Sequence, residues 1–516
     1  MENGYFQDHI SEAPQTPAPK YGTAERVLAF LFFAAGYFAV KSFTGAGAGL
    51  GAFAVSAFMI ASAAVYFAVS GVSQRLPHFL YLLMLAGFST VYIFSDNDFI
   101  KGLDALFILF ALLFYMYFTS GSGRRGFIDD AFVFDMIKSS LIMPYSSFAM
   151  IFPAAFSAKR KNKSGFRVWQ AAVGLLIAVI PTVIVGALLA HADSGFYGIL
   201  KKAGSIFKGN IGEEILRFVF GIPLAMFLFG ALYSNAMKKH TGILTPEQEK
   251  KVRSAVSVIP AAIAYAAVTP LIILYAVFLS VQAGYYFGGF SASVPDGMTY
   301  AEYARSGFFE LCAVAVINAL VIIVLMAFTR KKEDGRSPVS LRIFAVILSC
   351  FTLLLIAVAI SKMVLYISGY GLTRLRIYTS WFMILLAFAF LFIIMKQMFS
   401  RLNYFACFMT AFVILFGVLC FSDVDGRIAQ YNVDAYIAGR LESVDMAELE
   451  GLSDSAVPYI LKLTGPVEGK RENVNEFVTK KAAEILSERK EGKRENDGVI
   501  YFNFPHYRAK KISEPF

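Results

Sequence analysis

Runs of unbroken apolar sequence, each roughly 18 to 25 residues long, follow one another from about residue 24 to residue 421, and a run of that length crosses a bilayer as a helix. Backbone amides and carbonyls in hydrocarbon have no water to bond, so only helices or a closed barrel can span. Runs such as 168–190 and 343–360 lack the apolar–polar alternation of barrel strands. The expected fold is therefore all-α and polytopic. About eleven spans are expected, at 25–42, 48–70, 77–95, 103–120, 168–190, 213–234, 254–281, 309–329, 342–367, 377–398 and 402–421.

Charge fixes the rest of the outline. Only 16% of the 516 residues are charged, which excludes an ordinary soluble domain, and the net charge of +10 sits mainly in short loops. That placement argues for membrane orientation rather than nucleic-acid binding. Alternate loops carry about 23 Lys and Arg on one side and roughly ten on the other. The basic side, with Arg124, Arg125, Lys238, Arg253, Arg330, Lys331, Lys332, Arg336 and the cluster at 159–167, is expected to be cytoplasmic. An odd number of crossings then puts a polar N-terminal tail (1–23) inside and the C-terminus outside.

Two segments stand apart from the 24–421 bundle. Residues 127–158 are largely apolar but carry Asp129, Asp130, Asp135 and Lys138. Ile128, Phe132, Phe134, Ile137 and Leu141 share one helical face, which predicts a helix lying in the membrane interface rather than an extra span. From 422 to 516 about a third of the residues are charged, which predicts a small, mainly helical extramembrane domain. Ser453 caps a helix over 454–463, Val474, Phe477, Val478, Ala482, Ile485 and Leu486 form a helical stripe, and 499–504 reads as a short strand.

Motifs of chemistry are scarce. Gly47, Gly49 and Ala52 match the spacing of a dinucleotide fingerprint but open a membrane span, where Gly45, Gly47, Gly49 and Gly51 better serve close backbone approach. No paired histidines around a glutamate, nucleophile elbow or phosphate loop occurs, and the five histidines are scattered. The pattern assigns no catalytic residue, metal site or cofactor. Cys312, Cys350, Cys407 and Cys420 read as buried free thiols. Asn318 and the prolines at 181, 260 and 270 mark kinks or interhelical hydrogen bonds.

The richest constellation begins at Thr299, where Thr-Tyr-Ala-Glu is a capping box that starts a helix outside the membrane. It leads through Tyr303 and Arg305 to Glu310 at the boundary of a span. Lys362, Tyr370, Arg374 and Arg376 fall on the same side. Ionisable groups at membrane depth need partners or water. Structural ion pairing answers that need. So does an outward pocket, walled by Tyr300, Tyr303, Tyr366 and Tyr370, in which Glu302, Arg305, Glu310, Lys362, Arg374 and Arg376 receive an anionic or zwitterionic ligand.

The segments 299–310 (Thr-Tyr-Ala-Glu-Tyr-Ala-Arg-Ser-Gly-Phe-Phe-Glu) and 370–376 (Tyr-Gly-Leu-Thr-Arg-Leu-Arg) resemble a bacterial membrane family. It is the domain of unknown function forty-one seventy-three, related to forty-one fifty-three. Residues 192–196 and 428–463, with Ala-Gln-Tyr-Asn and Leu-Ser-Asp-Ser-Ala-Val-Pro, resemble it too. The resemblance implies a bacterial multispanning protein with an extramembrane tail, and no activity. Ser306 stands where similar sequences lead one to expect a second basic residue beside Arg305.

The expectation from sequence is thus a multi-pass protein of the bacterial inner membrane that binds, senses or scaffolds at the envelope, meeting lipid and, through its tail, a protein partner. Small-solute transport is the first alternative. The second is an enzyme acting on lipid or cell-wall precursors, with Glu302 or Glu310 as base.

Overall fold

The computed structural model describes residues 21–44, 47–121, 128, 132–156, parts of 174–206, 210–238, 246–287, 307–331, 337–467, 472–492 and 498–513. Among them are ten helices long and apolar enough to cross a membrane, and an eleventh if one bent pair is counted. No strand occurs among the described residues; a single bridge joins Ile259 to Thr329. The protein is an all-α, polytopic membrane protein. Its spans match the apolar runs, except that most of 168–190 lies outside the described residues.

The membrane helices form two packed groups. In the first, Thr23–Thr44 crosses Asn210–Ala236 so closely that a Cβ on Gly221 would lie 2.7 Å from the Gly36 carbonyl carbon. Small residues permit this approach. Lys41 closes the crossing at one end, 3.0 Å from Glu214. In the second group, Ala261–Phe287, Phe308–Phe328, Val339–Tyr370 and Arg374–Met398 bury Ala264, Leu311, Leu348 and Phe390 together. Asn318 supplies the interhelical bonds expected of it, accepting from Tyr275 at 2.7 Å and donating to Thr352 at 3.0 Å. Pro270 lies inside its helix, whereas Pro260 immediately precedes it.

The segment predicted to lie in the interface forms two helices, Phe132–Ser146 and Phe148–Phe156, bent by 43°, whose Ile151, Phe152 and Ala154 pack in one core with residues of the spans. Its faces are the reverse of those a surface helix shows. Asp135, Lys138, Ser139 and Ser140 are buried, while Ile137 and Leu141 point outward. Tyr117 donates to Asp135 at 2.9 Å, and Met143, Ile151 and Ala154 are fully buried. Apolar side chains outward and polar ones inward is the pattern of a helix packed among membrane spans, and two of the charges, Asp135 and Lys138, are held by protein, while Asp129 and Asp130 lie outside the described residues.

Residues 424–513 do not stand off from the bundle. Helices Val424–Ile437, Met446–Gly451 and Glu472–Gly492 share a core with membrane residues, in which Ile428, Val433 and Ile460 lie with Phe88, Tyr92 and Phe416, and the last helix, Phe504–Ser513, stacks Phe504 on Phe94. The stripe of Glu472–Gly492 buries Val478, Ala482 and Ile485, though Phe477 is exposed. Residues 454–463 are helical as expected, but the Ser453 hydroxyl makes no capping bond. The strand expected at 499–504 is a turn of 3₁₀ helix, Val499–Tyr501, entering the last helix. That turn seats on the first interhelical loop: Leu50 N–H donates to Phe502 O at 2.9 Å, and a Cβ on Gly49 would lie 2.5 Å from the Tyr501 carbonyl carbon. Gly49 does serve close backbone approach, but toward the tail. Gly45 lies outside the described residues. All four cysteines are free, and only Cys420 is buried.

This seating fixes a geometric relation. The tail rests where Thr23–Thr44 ends and Leu50–Val69 begins, so the start of the first helix and the tail lie at opposite ends of the bundle.

Candidate functional site

A polar cavity of about 440 Å³ opens where the tail meets the bundle. Its membrane wall is the loop Asp96–Asn97–Asp98 and the start of the helix Arg374–Met398; its other wall is Ser453, Asp454, Arg489, Tyr501, Asn503 and His506. Local sequence places each group. Asn97 caps the Asp98–Thr119 helix by accepting from Ile100 N–H at 3.0 Å, and Thr373 caps the next wall by accepting from Arg376 N–H at 3.3 Å.

Asp425 organises the membrane side of the seam. It is 1% exposed, yet it receives Arg374 Nε at 2.8 Å and Nη2 at 2.5 Å, Asn97 Nδ2 at 2.8 Å and Ser453 N–H at 2.9 Å. Burial alone would raise its carboxyl. The Arg374 guanidinium and the Ser453 amide outweigh burial and hold it below the usual carboxylate range.

The tail side is tied by Asp96 and Asp454. Asp96 accepts from Asn503 Nδ2 at 2.8 Å and Asp454 N–H at 3.1 Å, with Lys101 Nζ 3.5 Å away. Here burial prevails over Lys101 and pushes the Asp96 carboxyl up. Asp454 Oδ2 lies 2.7 Å from His506 Nδ1. Arg489 donates to the carbonyls of Ser453, Leu449, Glu450 and Leu452. Asp98, by contrast, is 82% exposed and faces the opening.

The predicted site residues divide four ways. Glu302, Tyr303 and Arg305, with Tyr300, lie outside the described residues. Glu310 and Lys362 come together: Lys362 is buried, feels the Glu310 charge, and packs over Gly307, whose φ of +87° a side chain would strain. Arg376 donates to the carbonyls of Tyr370 and Gly371 and lies 4.0 Å above the Tyr366 ring, which meets Tyr370 edge-on. Arg374 alone lines the cavity, with its fork already filled by Asp425. Reading the sequence missed Asp96, Asp425, Asp454, Arg489 and His506. One signal was available, an Asp-Asn-Asp triplet capping a span that carries Lys101 a turn later.

No group of three or more His, Cys, Asp or Glu side chains among the described residues is arranged to hold a metal. One carboxylate of the cavity, Asp98, is exposed at its opening, and its arginines are engaged within the protein.

Fold and cavity together define a multispanning helical membrane protein with a polar chamber at one end of its bundle. Residues 82–463 match the family described as Domain of unknown function (DUF4153), and the chain belongs to that family, the second of the related pair indicated by its motifs. No curated protein and no solved structure matches it.

Proposed function

We propose that the protein binds a small zwitterionic, amine-bearing solute in the junction cavity, and that it acts in binding or sensing at the bacterial envelope without catalysis. The cavity carries this reading: it is roomy, polar, built from both the bundle and the tail, and presents Asp98 exposed at its opening, with the buried Lys101 no nearer than 3.9 Å, while its arginines are occupied within the protein. The Lys and Arg excess at the other end of the bundle supports a cytoplasmic N-terminus and an exterior cavity. With protein in nanodiscs, free amino acids and betaines raise the melting temperature, matched dicarboxylates do not, and Asp98→Asn removes the shift. A shift from dicarboxylates alone sinks the proposal.

Solute transport is the second reading. One observation favours it, the carboxyl of Asp104 buried inside a span.

A further inference from the structure

The Asp98–Thr119 helix carries an acidic side chain that the junction site does not use. Asp104 is 0% exposed, and neither carboxylate oxygen meets a hydrogen-bond partner among the described residues. It lies six residues into the span, about 9 Å below the helix start at 1.5 Å per residue. Tyr92 and Cys420 face it from the neighbouring helices, close enough to feel its charge, and neither is a cation. An ionised carboxylate without donor or cation is the costliest state for such a group at membrane depth, and the uncharged acid avoids that cost.

The same helix face carries a second buried ionisable group. Lys101 precedes Asp104 by three residues, which places both on one side of the helix. Lys101 is 2% exposed, and its Nζ also makes no hydrogen bond among the described residues. It lies 3.5 Å from Asp96 Oδ1 and 3.9 Å from Asp98 Oδ1, two groups that line the cavity. Buried ionisable groups that follow one another from within a span toward an aqueous chamber are the arrangement by which protons enter membrane helices.

We propose that Asp104 is a proton-binding site of the membrane bundle, exchanging its proton with the junction cavity past Lys101 and Asp96. The ligand is the proton itself, so the site stands whether or not the cavity takes an amine. Replacing the acid by an amide removes the proton while keeping shape.

Infrared difference spectra of the full chain in nanodiscs, wild type minus Asp104→Asn, test this at pH 7. The expected result is one protonated carboxyl stretch that the variant loses and that shifts in heavy water. Lys101→Met keeps the band and slows its isotope shift. A carboxylate band at pH 7 in place of the protonated one overturns the site, and an isotope shift equally fast in Lys101→Met overturns the route. Should Asp104→Asn fail to fold, Asp104→Leu, which removes both orphaned oxygens, serves as the reference.

Discussion

Asp425 shows how a single buried charge is made tolerable. Its four donors come from a membrane loop, a membrane helix and the tail, so the residue joins three stretches that are distant in sequence. Removing one partner of a buried pair leaves the other uncompensated, at a cost of about 3–5 kcal/mol. Arg374→Ala, which strands the buried Asp425, is expected to destabilise the protein by that order, read from denaturation in detergent, with Asp425→Ala, which leaves an arginine a third exposed, costing less and combining non-additively. Because the folded carboxyl is held below its unfolded value, the pair stabilises fully above about pH 4 and is lost as pH falls through the lower folded value. Asp96 counts the other way: its raised carboxyl favours the fold more as pH drops through it. Melting curves across acid pH are expected to fall more steeply for the wild type than for Asp425→Asn.

Among the helices, apolar length was readable because a bilayer demands it, and the ten spans lie where continuous hydropathy put them. The bent pair at Phe132–Phe156 was not readable, since its outward face is as apolar as a core stripe. Only packing reveals that Asp135 and Lys138 point into protein. The site failed for a similar reason. Arg374 and Arg376, two residues apart, are drawn to different partners, Asp425 and the Tyr370 and Gly371 carbonyls, and no spacing rule distinguishes them. The Gly36–Gly221 crossing makes its own demand. Gly221→Leu drives a side chain into facing backbone and is expected to cost about 1–3 kcal/mol, an overpacking penalty seen as a lower melting temperature, while Gly87→Leu, with open space around it, leaves melting unchanged.

At the scale of the whole molecule, the tail and the start of the first helix lie at opposite ends of the bundle. With the basic loops inside, a cysteine introduced at Ser513 is expected to react with an impermeant maleimide added to intact cells, in a background lacking Cys312, Cys350, Cys407 and Cys420. One introduced at Thr23 is expected to react only after lysis. Labelling in the reverse order inverts the orientation and moves the cavity to the cytoplasm. The shared core also predicts that 424–513 severed from the bundle exposes Ile428, Val433 and Ile460 and aggregates.

The bond from Leu50 to Phe502 sets a timetable for biogenesis. Its two residues are separated by some 450 others, so the loop after the first helix emerges early and waits for nearly all the remaining polypeptide to be synthesised. Through that interval the early hairpin stays open on the face where Phe502 will dock. A ribosome stalled in the 460s would leave every span inserted and the chamber without half its walls.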